Sequence, residues 1–184
     1  MLAESFTDQA PAIIEVLDRL RSAGDLVVEL VSESDGVDGY TALSRGWLDA
    51  RERLVEVLVL SPIGVRPSHQ GRGVGTALLD AAVREARGTG VPLVFLEGDP
   101  GFYGSRGWER ASAHGLERPS ARIPDAACQV VLLDAHEPWM AGRLVYPDVW
   151  WRLDLVGLRD PSSGSSRTAD LPAGAVPHDP PADI

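Results

Sequence analysis

A glycine-rich turn between two strongly apolar segments constrains the fold of this chain more than any other feature. Residues 53–65, RLVEVLVLSPIGV, and residues 91–99, VPLVFLEGD, have the composition of buried strands. Between them, residues 69–87 read HQGRGVGTALLDAAVREAR, with glycines at every second position directly before a helical pattern. Strand, turn, helix and strand in this order form a βαβ unit. We therefore expect its two strands to be parallel and its crossover to be right-handed.

Patterns on either side of this unit predict the rest of a mixed sheet. Apolar residues recur at helical spacing from about residue 10 to 22, which predicts a helix. Residues 25–33 and 40–48 are strand-like stretches separated by a turn signal, so they predict an antiparallel hairpin. Residues 100–108, PGFYGSRGW, predict a short helix, and residues 128–134, CQVVLLD, predict another buried strand. The expected fold class is α/β (α+β), a mixed central sheet with helices on both faces.

Length and composition predict one folded domain followed by a tail. A chain of 184 residues that is 44% hydrophobic has enough apolar surface for a single substantial core. We expect this domain to occupy residues 1–159. Residues 160–184 are rich in Pro, Ser, Gly and Asp and have little to bury, so we expect a disordered tail there.

The charge of the chain excludes several classes of function. There are 17 basic residues against 27 acidic ones, for a formal net charge of -10, which disfavours binding to a nucleic-acid backbone. Every basic residue is an arginine. A lysine-dependent phosphate loop, a protein kinase and a Schiff-base enzyme are therefore excluded, because each needs a lysine.

Cysteine and histidine usage argues against disulfide and metal sites. The single cysteine, Cys128, cannot form an intramolecular disulfide, and the four histidines lack metal-ligand spacing, so no metal is expected. The N-terminal residues do not show a signal-peptide pattern, and no apolar run is long enough to span a membrane. These observations predict a cytoplasmic protein without a membrane partner.

The glycine turn itself predicts an anion site. Backbone amides at a glycine turn before a helix point outward together, and the helix dipole adds positive potential. Gly71, Gly73 and Gly75 give G-x-G-x-G, which lacks one residue of the dinucleotide fingerprint G-x-G-x-x-G, so a nicotinamide cofactor is disfavoured. Two alternatives remain from the glycines alone: a connection that merely allows close packing, and a site for another nucleotide.

The segment GVRPSHQGRGVGTALL resembles motif A, Q/R-x-x-G-x-G/A, of the GNAT superfamily of acetyl-CoA-dependent N-acetyltransferases. The resemblance continues in matching order over roughly residues 25–161, where LEGDPGFYGSRGWERASAHGL and AGRLVYPDVWWRLDLVGLRDP look like the YhbS-like branch of the superfamily. It implies that acetyl-CoA is the cosubstrate and that main-chain amides of the turn hold its pyrophosphate. The implied contacts are Gln70, Gly71, Arg72, Gly73, Val74, Gly75 and Thr76.

Two further features follow from the same resemblance. The segment FYGSRGW is similar to the superfamily's Y-x-x-x-G-F element, which implies that Tyr103 protonates the departing thiolate of coenzyme A. Pro62 is awkward inside a strand, because it cannot donate to a ladder; either the strand ends there or its neighbour has moved away. In the resembled fold two parallel strands splay apart and admit the pantetheine arm. Ile63, Gly64 and Val65 are then the expected pantetheine contacts.

Acetyl transfer to an amine also needs a group that takes the ammonium proton. Glu97, at the end of a strand, is the first candidate, and Glu56, inside an apolar run, is the second; a purely structural role is open for both. Asp99 is expected to cap the helix that contains Tyr103. Cys128 is expected to be a small core residue, so direct transfer in a ternary complex is favoured.

The acceptor is not identified by the sequence beyond a primary amine of a small molecule or peptide. Four aromatic residues, Trp139, Tyr146, Trp150 and Trp151, are candidates for a wall around a cationic amine, or for a cover over the sheet edge. Family members usually begin with a strand and a helix that have no counterpart in the pattern here. A sheet edge left exposed by their absence would favour a homodimer. The alternative function, if the acceptor site is not competent, is a non-catalytic acyl-CoA-binding or regulatory module. We also expect His69, beside the turn, to be solvent-exposed.

Overall fold

A computed structural model describes residues 2–6, 9–34 and 36–157, and the predicted tail lies outside these residues. The helices are α1 (Leu2–Phe6), α2 (Ala10–Ala23), α3 (Val74–Thr89), α4 (Pro100–Tyr103) and α5 (Asp148–Arg152). The strands are β1 (Leu26–Glu33), β2 (Val37–Ala50), β3 (Leu54–Val65), β4 (Leu93–Glu97), β5 (Glu109–Arg110), β6 (Leu116–Glu117), β7 (Cys128–Leu132) and β8 (Gly142–Val145).

These strands form one mixed sheet in the order β5-β7-β4-β3-β2-β8-β6, and β1 pairs with β2 beside β8. The predicted hairpin is present as the antiparallel pair β1 and β2, and the predicted βαβ unit is present as β3, α3 and β4, whose strands are parallel. The fold class predicted from the sequence is therefore confirmed. Within the described residues β1 pairs only with β2, and the homodimer stays a prediction.

The long strand β3 runs through Pro62 without ending there. On one side, Ser61 and Pro62 lie in a register shift between the pairs Leu43↔Leu60 and Thr41↔Ile63 of β2 and β3. Residues in such a bulge are not paired in the ladder, so a proline there costs no hydrogen bond between the strands. On the other side, β4 has already moved away. Of the two explanations for this proline, the structure therefore shows the second: the neighbouring strand β4 has separated from β3 before Pro62.

The hydrophobic core lies on both faces of the sheet, because neighbouring residues of β3 and β4 point to opposite faces. Val57 and Phe95 pack with α2 and α5 in one cluster, whereas Leu58 and Val94 pack with α3 in another. The predicted helix at residues 10–22 is α2, which ends at Gly24 in the left-handed conformation. The short helix α1, which the sequence pattern did not indicate, precedes it.

Phe95 is fully buried in the centre of the sheet, and its replacement tests this arrangement. We expect Phe95→Ala to lower the free energy of unfolding by about 3–5 kcal/mol, because the substitution leaves a cavity in a region that cannot collapse. Ile14→Ala is the control, since Ile14 on α2 is 43% exposed. Its effect should stay within about 0.5 kcal/mol. Urea denaturation measures both, and equal effects of the two variants would contradict the assigned core.

Candidate active site

The central feature of the site is an opening between β3 and β4. The two strands pair only at Leu58↔Val94 and Val59↔Phe95. Beyond this point β3 continues along β2 to Val65, whereas β4 continues along β7 to Glu97. The edge of β3 that faces the opening therefore has no strand partner within the described part of the chain. Unpaired backbone groups there are available to a ligand.

A cavity of about 230 Å³ lies at this opening. Its lining combines residues of β3 with Glu97 from the end of β4 and Tyr103 from the end of α4. Residues of α1, α2 and α5 close the far side. Tyr103 packs in the cluster on the α3 face, yet it shares this cavity with Val16 from the α2 face. The opening thus connects the two faces of the sheet.

The predicted pantetheine contacts lie along the same opening. Ile63 lines the cavity, and Gly64 and Val65 continue the strand beyond it, paired with β2 on the opposite edge. Gly64 has a packing reason to be glycine. An added Cβ there would lie 2.6 Å from a ring carbon of Phe6, so α1 packs directly onto the backbone of β3. These contacts hold α1 against one face of the sheet and leave the edge of β3 open.

The glycine turn has the geometry of an anion site. Gly71 and Gly73 adopt φ angles of 72° and 86°, which a side chain would strain, and nothing lies within 4 Å of an added Cβ at either position. Gly73 is the N-cap of α3 and provides no side-chain cap. The amides of residues 71–73 donate to no backbone carbonyl in the described part of the chain. Together with the unpaired amides of the first helical turn, they present the kind of donor cluster that helix N-termini offer to anions.

Side chains around the turn attach it to its neighbours. Gln70 donates a hydrogen bond from Nε2 to the carbonyl of Val65 (3.1 Å), which joins the turn to the end of β3. The prediction that His69 is solvent-exposed is wrong: His69 is partly buried, and its Nε2 lies 3.4 Å from Oδ1 of the buried Asp38. The buried side chain of Asp38, at the start of β2, thus has the polar imidazole as a neighbour.

Arg106 joins the turn to the tyrosine segment. Its Nε donates to Oγ1 of Thr76 in the first turn of α3 (2.9 Å), and Nη1 donates to the carbonyl of Phe102. The guanidinium lies 3.8 Å from the centre of the Phe102 ring. The predicted turn residue Thr76 and the predicted acid Tyr103 are therefore held in one connected unit.

Tyr103 is buried and keeps its proton. Burial, followed by the charge of Asp99, raises the pKa of Tyr103 to about 12, although the charge of Arg106 opposes this rise. As predicted, Asp99 caps α4, since its Oδ1 accepts from the amide of Gly101 (2.9 Å). Trp108 packs edge-on against the tyrosine ring. The phenol is thus fixed in orientation and is protonated at neutral pH.

Glu97 is the ionisable carboxyl group of the cavity. Desolvation raises the pKa of Glu97 to about 7, although a hydrogen bond from Tyr146, the charge of Arg122 and the amide of Gly157 all lower it. The hydroxyl of Tyr146 donates to Oε1 at 2.6 Å. A carboxyl group with this pKa holds and releases a proton near neutral pH.

Cys128 pairs with Glu97 across β4 and β7 and behaves as a core residue. Burial, followed by the charge of Glu97, raises the pKa of the Cys128 thiol to about 12. A thiol with so high a pKa supplies almost no thiolate at neutral pH.

Glu56, the second candidate base, lies elsewhere. Its Oε1 lies 3.0 Å from Nε of Arg45, its side chain is 42% exposed, and it does not line the cavity. Arg45 also contacts Asp25 at 3.1 Å. Glu56 therefore belongs to an ion-pair network at the surface of the sheet.

The predicted aromatic group is divided by the fold. Tyr146 and Trp150 line the cavity, with ring centres 5.8 Å apart. Trp139 instead packs beneath Arg53, and Trp151 is 41% exposed. Only half of the group can face a ligand in the cavity.

Neither a metal-binding cluster nor a membrane-spanning helix is found among the described residues. In residues 2–6, 9–34 and 36–157, no group of three or more His, Cys, Asp or Glu side chains could hold a metal ion. Across the same ranges, no helix combines the length and apolar character needed to cross a bilayer.

Comparison with known proteins identifies the family. The profile described as an acetyltransferase (GNAT) domain matches residues 2–111, more than half of the chain. The chain belongs to the GNAT acetyltransferase family. Comparison with curated proteins gives no significant match.

Solved structures of this family are similar over most of the chain. One is a GNAT family N-acetyltransferase, YhbS, from Escherichia coli in complex with CoA: it is 25% identical, with a TM-score of 0.71, over 82% of this chain and 83% of that one. Another is a GNAT family acetyltransferase from Brucella melitensis in complex with acetyl-CoA, 25% identical, with a TM-score of 0.62, over 81% and 87% of the two chains.

Sequence reasoning missed three contributions to the site. Tyr146 is predicted only as part of an aromatic wall or of a cover over the sheet edge, because its hydrogen bond to Glu97 joins residues 49 positions apart and has no local signal. Arg106 lies within the tyrosine element, but its contact with Thr76 depends on how α4 packs against α3. Phe6 lies in a helix too short to give a periodic signal.

The left-handed glycine of the turn provides a test with a matched control. We expect Gly73→Ala to weaken CoA binding and to cost roughly 1–2 kcal/mol of stability, because alanine is strained at this φ. Gly88→Ala, within α3 and with open space around it, should leave CoA binding unchanged and add roughly 0.5–1 kcal/mol of stability. Calorimetric titration and thermal unfolding measure the two effects. Equal CoA affinities for the two variants would contradict a phosphate site at this turn.

Proposed function

We propose that this protein transfers the acetyl group of acetyl-CoA to a primary amine by direct transfer in a ternary complex. The observation that carries the proposal is the opening between β3 and β4, where Glu97 and Tyr103 line one cavity. A carboxyl group that titrates near neutral pH and a protonated phenol are the two groups that this reaction requires.

The chain offers a fitting site for the cosubstrate. Free amides of residues 71–73 and of the first turn of α3 would hold the pyrophosphate, and the open edge of β3 at residues 63–65 would pair with the amide groups of pantetheine. Acetyl-CoA would supply the acetyl group as a thioester. The relatives solved with CoA and acetyl-CoA support this assignment.

Each proton in the proposed reaction has a donor and an acceptor. Glu97 takes one proton from the ammonium group of the acceptor, which frees the nitrogen lone pair. A bond forms between this nitrogen and the acetyl carbon, the carbon–sulfur bond breaks, and the hydroxyl of Tyr103 gives its proton to the sulfur. The nitrogen then loses a second proton, which passes through solvent and restores the hydroxyl of Tyr103. The products are an acetamide, a free thiol and a protonated Glu97.

The role of Tyr103 is tested by Tyr103→Phe. We expect kcat to fall by about 10²–10⁴-fold, because the leaving sulfur loses its acid, while the Kd for acetyl-CoA stays nearly unchanged. Tyr40→Phe is the matched control, since the Tyr40 hydroxyl bonds to Glu29 outside the cavity and its loss should leave kcat unaltered. Calorimetry and a thiol-release assay provide the two readouts. Unchanged turnover in Tyr103→Phe would remove the assigned acid.

The role of Glu97 is tested by the pH dependence of kcat/KM. We expect kcat/KM to rise with pH up to about 7, where Glu97 loses its proton and can accept one. In Glu97→Gln this ionisation should disappear and kcat/KM should fall by about 10²–10⁴-fold. Glu56→Gln is the matched control and should retain the profile, because Glu56 lies outside the cavity.

The same ionisation affects stability. The folded pKa of Glu97 lies above its ordinary value of 4.5, so the folded state retains a proton that the unfolded state has lost. The wild type should therefore lose stability as the pH rises from about 4.5 to about 7, and this part of the loss should be absent in Glu97→Gln. Urea denaturation at several pH values measures it. A pH dependence identical in both proteins would contradict the desolvated carboxyl group.

Turnover assays also distinguish the alternative function. Acetyl-CoA binding without acetylation of any amine would support a non-catalytic acyl-CoA-binding or regulatory module. Location in the cytoplasm and the division into residues 1–159 and 160–184 remain predictions from the sequence.

A further inference from the structure

Most of the cavity wall beside Glu97 is apolar. Its apolar residues come from α1, α2 and the segment around α5, namely Phe6, Ile13, Val16, Tyr146, Trp150 and Leu155, and the uncharged polar residues Gln9 and Ser61 complete the lining. Such walls exclude water from the body of a bound molecule and favour apolar groups over polar ones.

The charge in the cavity is of one sign. Glu97 is the ionisable acid, whereas no arginine or histidine of the described residues lines the cavity. Arg122 is close enough to affect the pKa of Glu97, but its Nη1 bonds to Asp154 at 3.1 Å. A carboxylate or phosphate on the acceptor would therefore be buried without a counter-charge, which is strongly unfavourable.

The aromatic rings complement the charge of Glu97. Tyr146 and Trp150 lie beside each other at the cavity wall, and the Tyr146 hydroxyl contacts the carboxyl group directly. Aromatic faces attract a cation through the ring quadrupole. An ammonium group near Glu97 is thus favoured by the carboxylate and by the rings together.

The size of the cavity limits the body of the acceptor. About 230 Å³ is available. Ile63 and Tyr103 line the same cavity, so the acetyl end of the cosubstrate shares this volume with the acceptor. Since an apolar cavity of about 150 Å³ binds benzene, the acceptor is limited to one ring with a short aminoalkyl arm. Long polyamines and multi-ring amino sugars exceed it, and their additional polar groups would lose hydrogen bonds to water.

We infer that the acceptor is a small primary amine with an apolar, ring-sized body and no acidic group. This inference deepens the proposed function and rests on it. In this view the walls of the cavity select the acceptor, and Glu97 and Tyr103 carry out the reaction.

The test compares three amines with the full chain. The probes are 2-phenylethylamine, L-phenylalanine, which adds a carboxylate to the same skeleton, and spermidine, which replaces the apolar body by further charges. We expect kcat/KM for 2-phenylethylamine to exceed that for each of the others by at least about tenfold, because burying an unpaired charge is costly. Release of free thiol from acetyl-CoA measures all three.

Two neighbouring isoleucines of α2 provide a variant and its matched control. Ile13 lines the cavity, whereas Ile14 faces solvent. Ile13→Lys should lower kcat/KM for 2-phenylethylamine by at least about tenfold and narrow its advantage over L-phenylalanine, because the new cation repels the ammonium and pairs with a carboxylate. Ile14→Lys should leave both values unchanged. Circular dichroism confirms that each variant is folded.

Binding separates failure of this inference from failure of the proposed function. Calorimetric titration of 2-phenylethylamine into the CoA-loaded protein should show binding that Ile13→Lys weakens and Ile14→Lys does not. Faster turnover of L-phenylalanine or spermidine would overturn the assigned substrate class and leave the N-acetyltransferase proposal standing. Selective binding of 2-phenylethylamine without turnover of any amine would overturn the proposed reaction and retain the apolar-amine site. Neither binding nor turnover would overturn both.

Discussion

The limited pairing of β3 with β4 is the constraint on which the rest of the site depends. Two parallel strands that remained paired along their full length would satisfy each other's backbone groups and close the sheet. Here the pairing stops after Val59, and each strand continues with a different neighbour. The bulge at Ser61 and Pro62 occurs just beyond that point, where β4 no longer pairs with β3. An open edge and a passage between the two faces of the sheet are the result.

This passage brings a phenol and a carboxyl group with different pKa values into one cavity. Tyr103 reaches it from the α3 face, and burial keeps its phenol protonated. Glu97 reaches it from the end of β4, and desolvation brings its pKa near neutrality despite the hydrogen bond from Tyr146. Desolvation raises both pKa values, from 10.0 for the phenol and 4.5 for the carboxyl group, so a group that stays protonated and a group that titrates near neutrality share one cavity. Membership of the GNAT acetyltransferase family is consistent with acetyl transfer at this cavity.

The sequence predicted the parts of the fold that depend on local patterns. The helix α2, the hairpin of β1 and β2, and the βαβ unit were expected from periodicity and turn residues, and all are present. The departure of a neighbour at Pro62 was one of two explanations, and the structure selects it. His69 was placed wrongly in solvent because nothing in its local sequence reveals Asp38, which lies on β2 some thirty residues earlier. The apolar run around Glu56 made it a candidate base, but the structure pairs it with Arg45 at the surface.

The sequence by itself determined the glycine turn, the order of α2, the hairpin of β1 and β2 and the βαβ unit, and the exclusion of lysine-dependent chemistry. These follow from backbone preferences and residue types that act over a few positions of the chain. Only the tertiary structure decided which carboxyl group is desolvated, which aromatic residues face the cavity, and that Arg106 bridges the turn and the tyrosine segment. The physical reason is that pKa values, burial and side-chain contacts depend on groups that are distant in the sequence and meet only when the sheet and its helices pack.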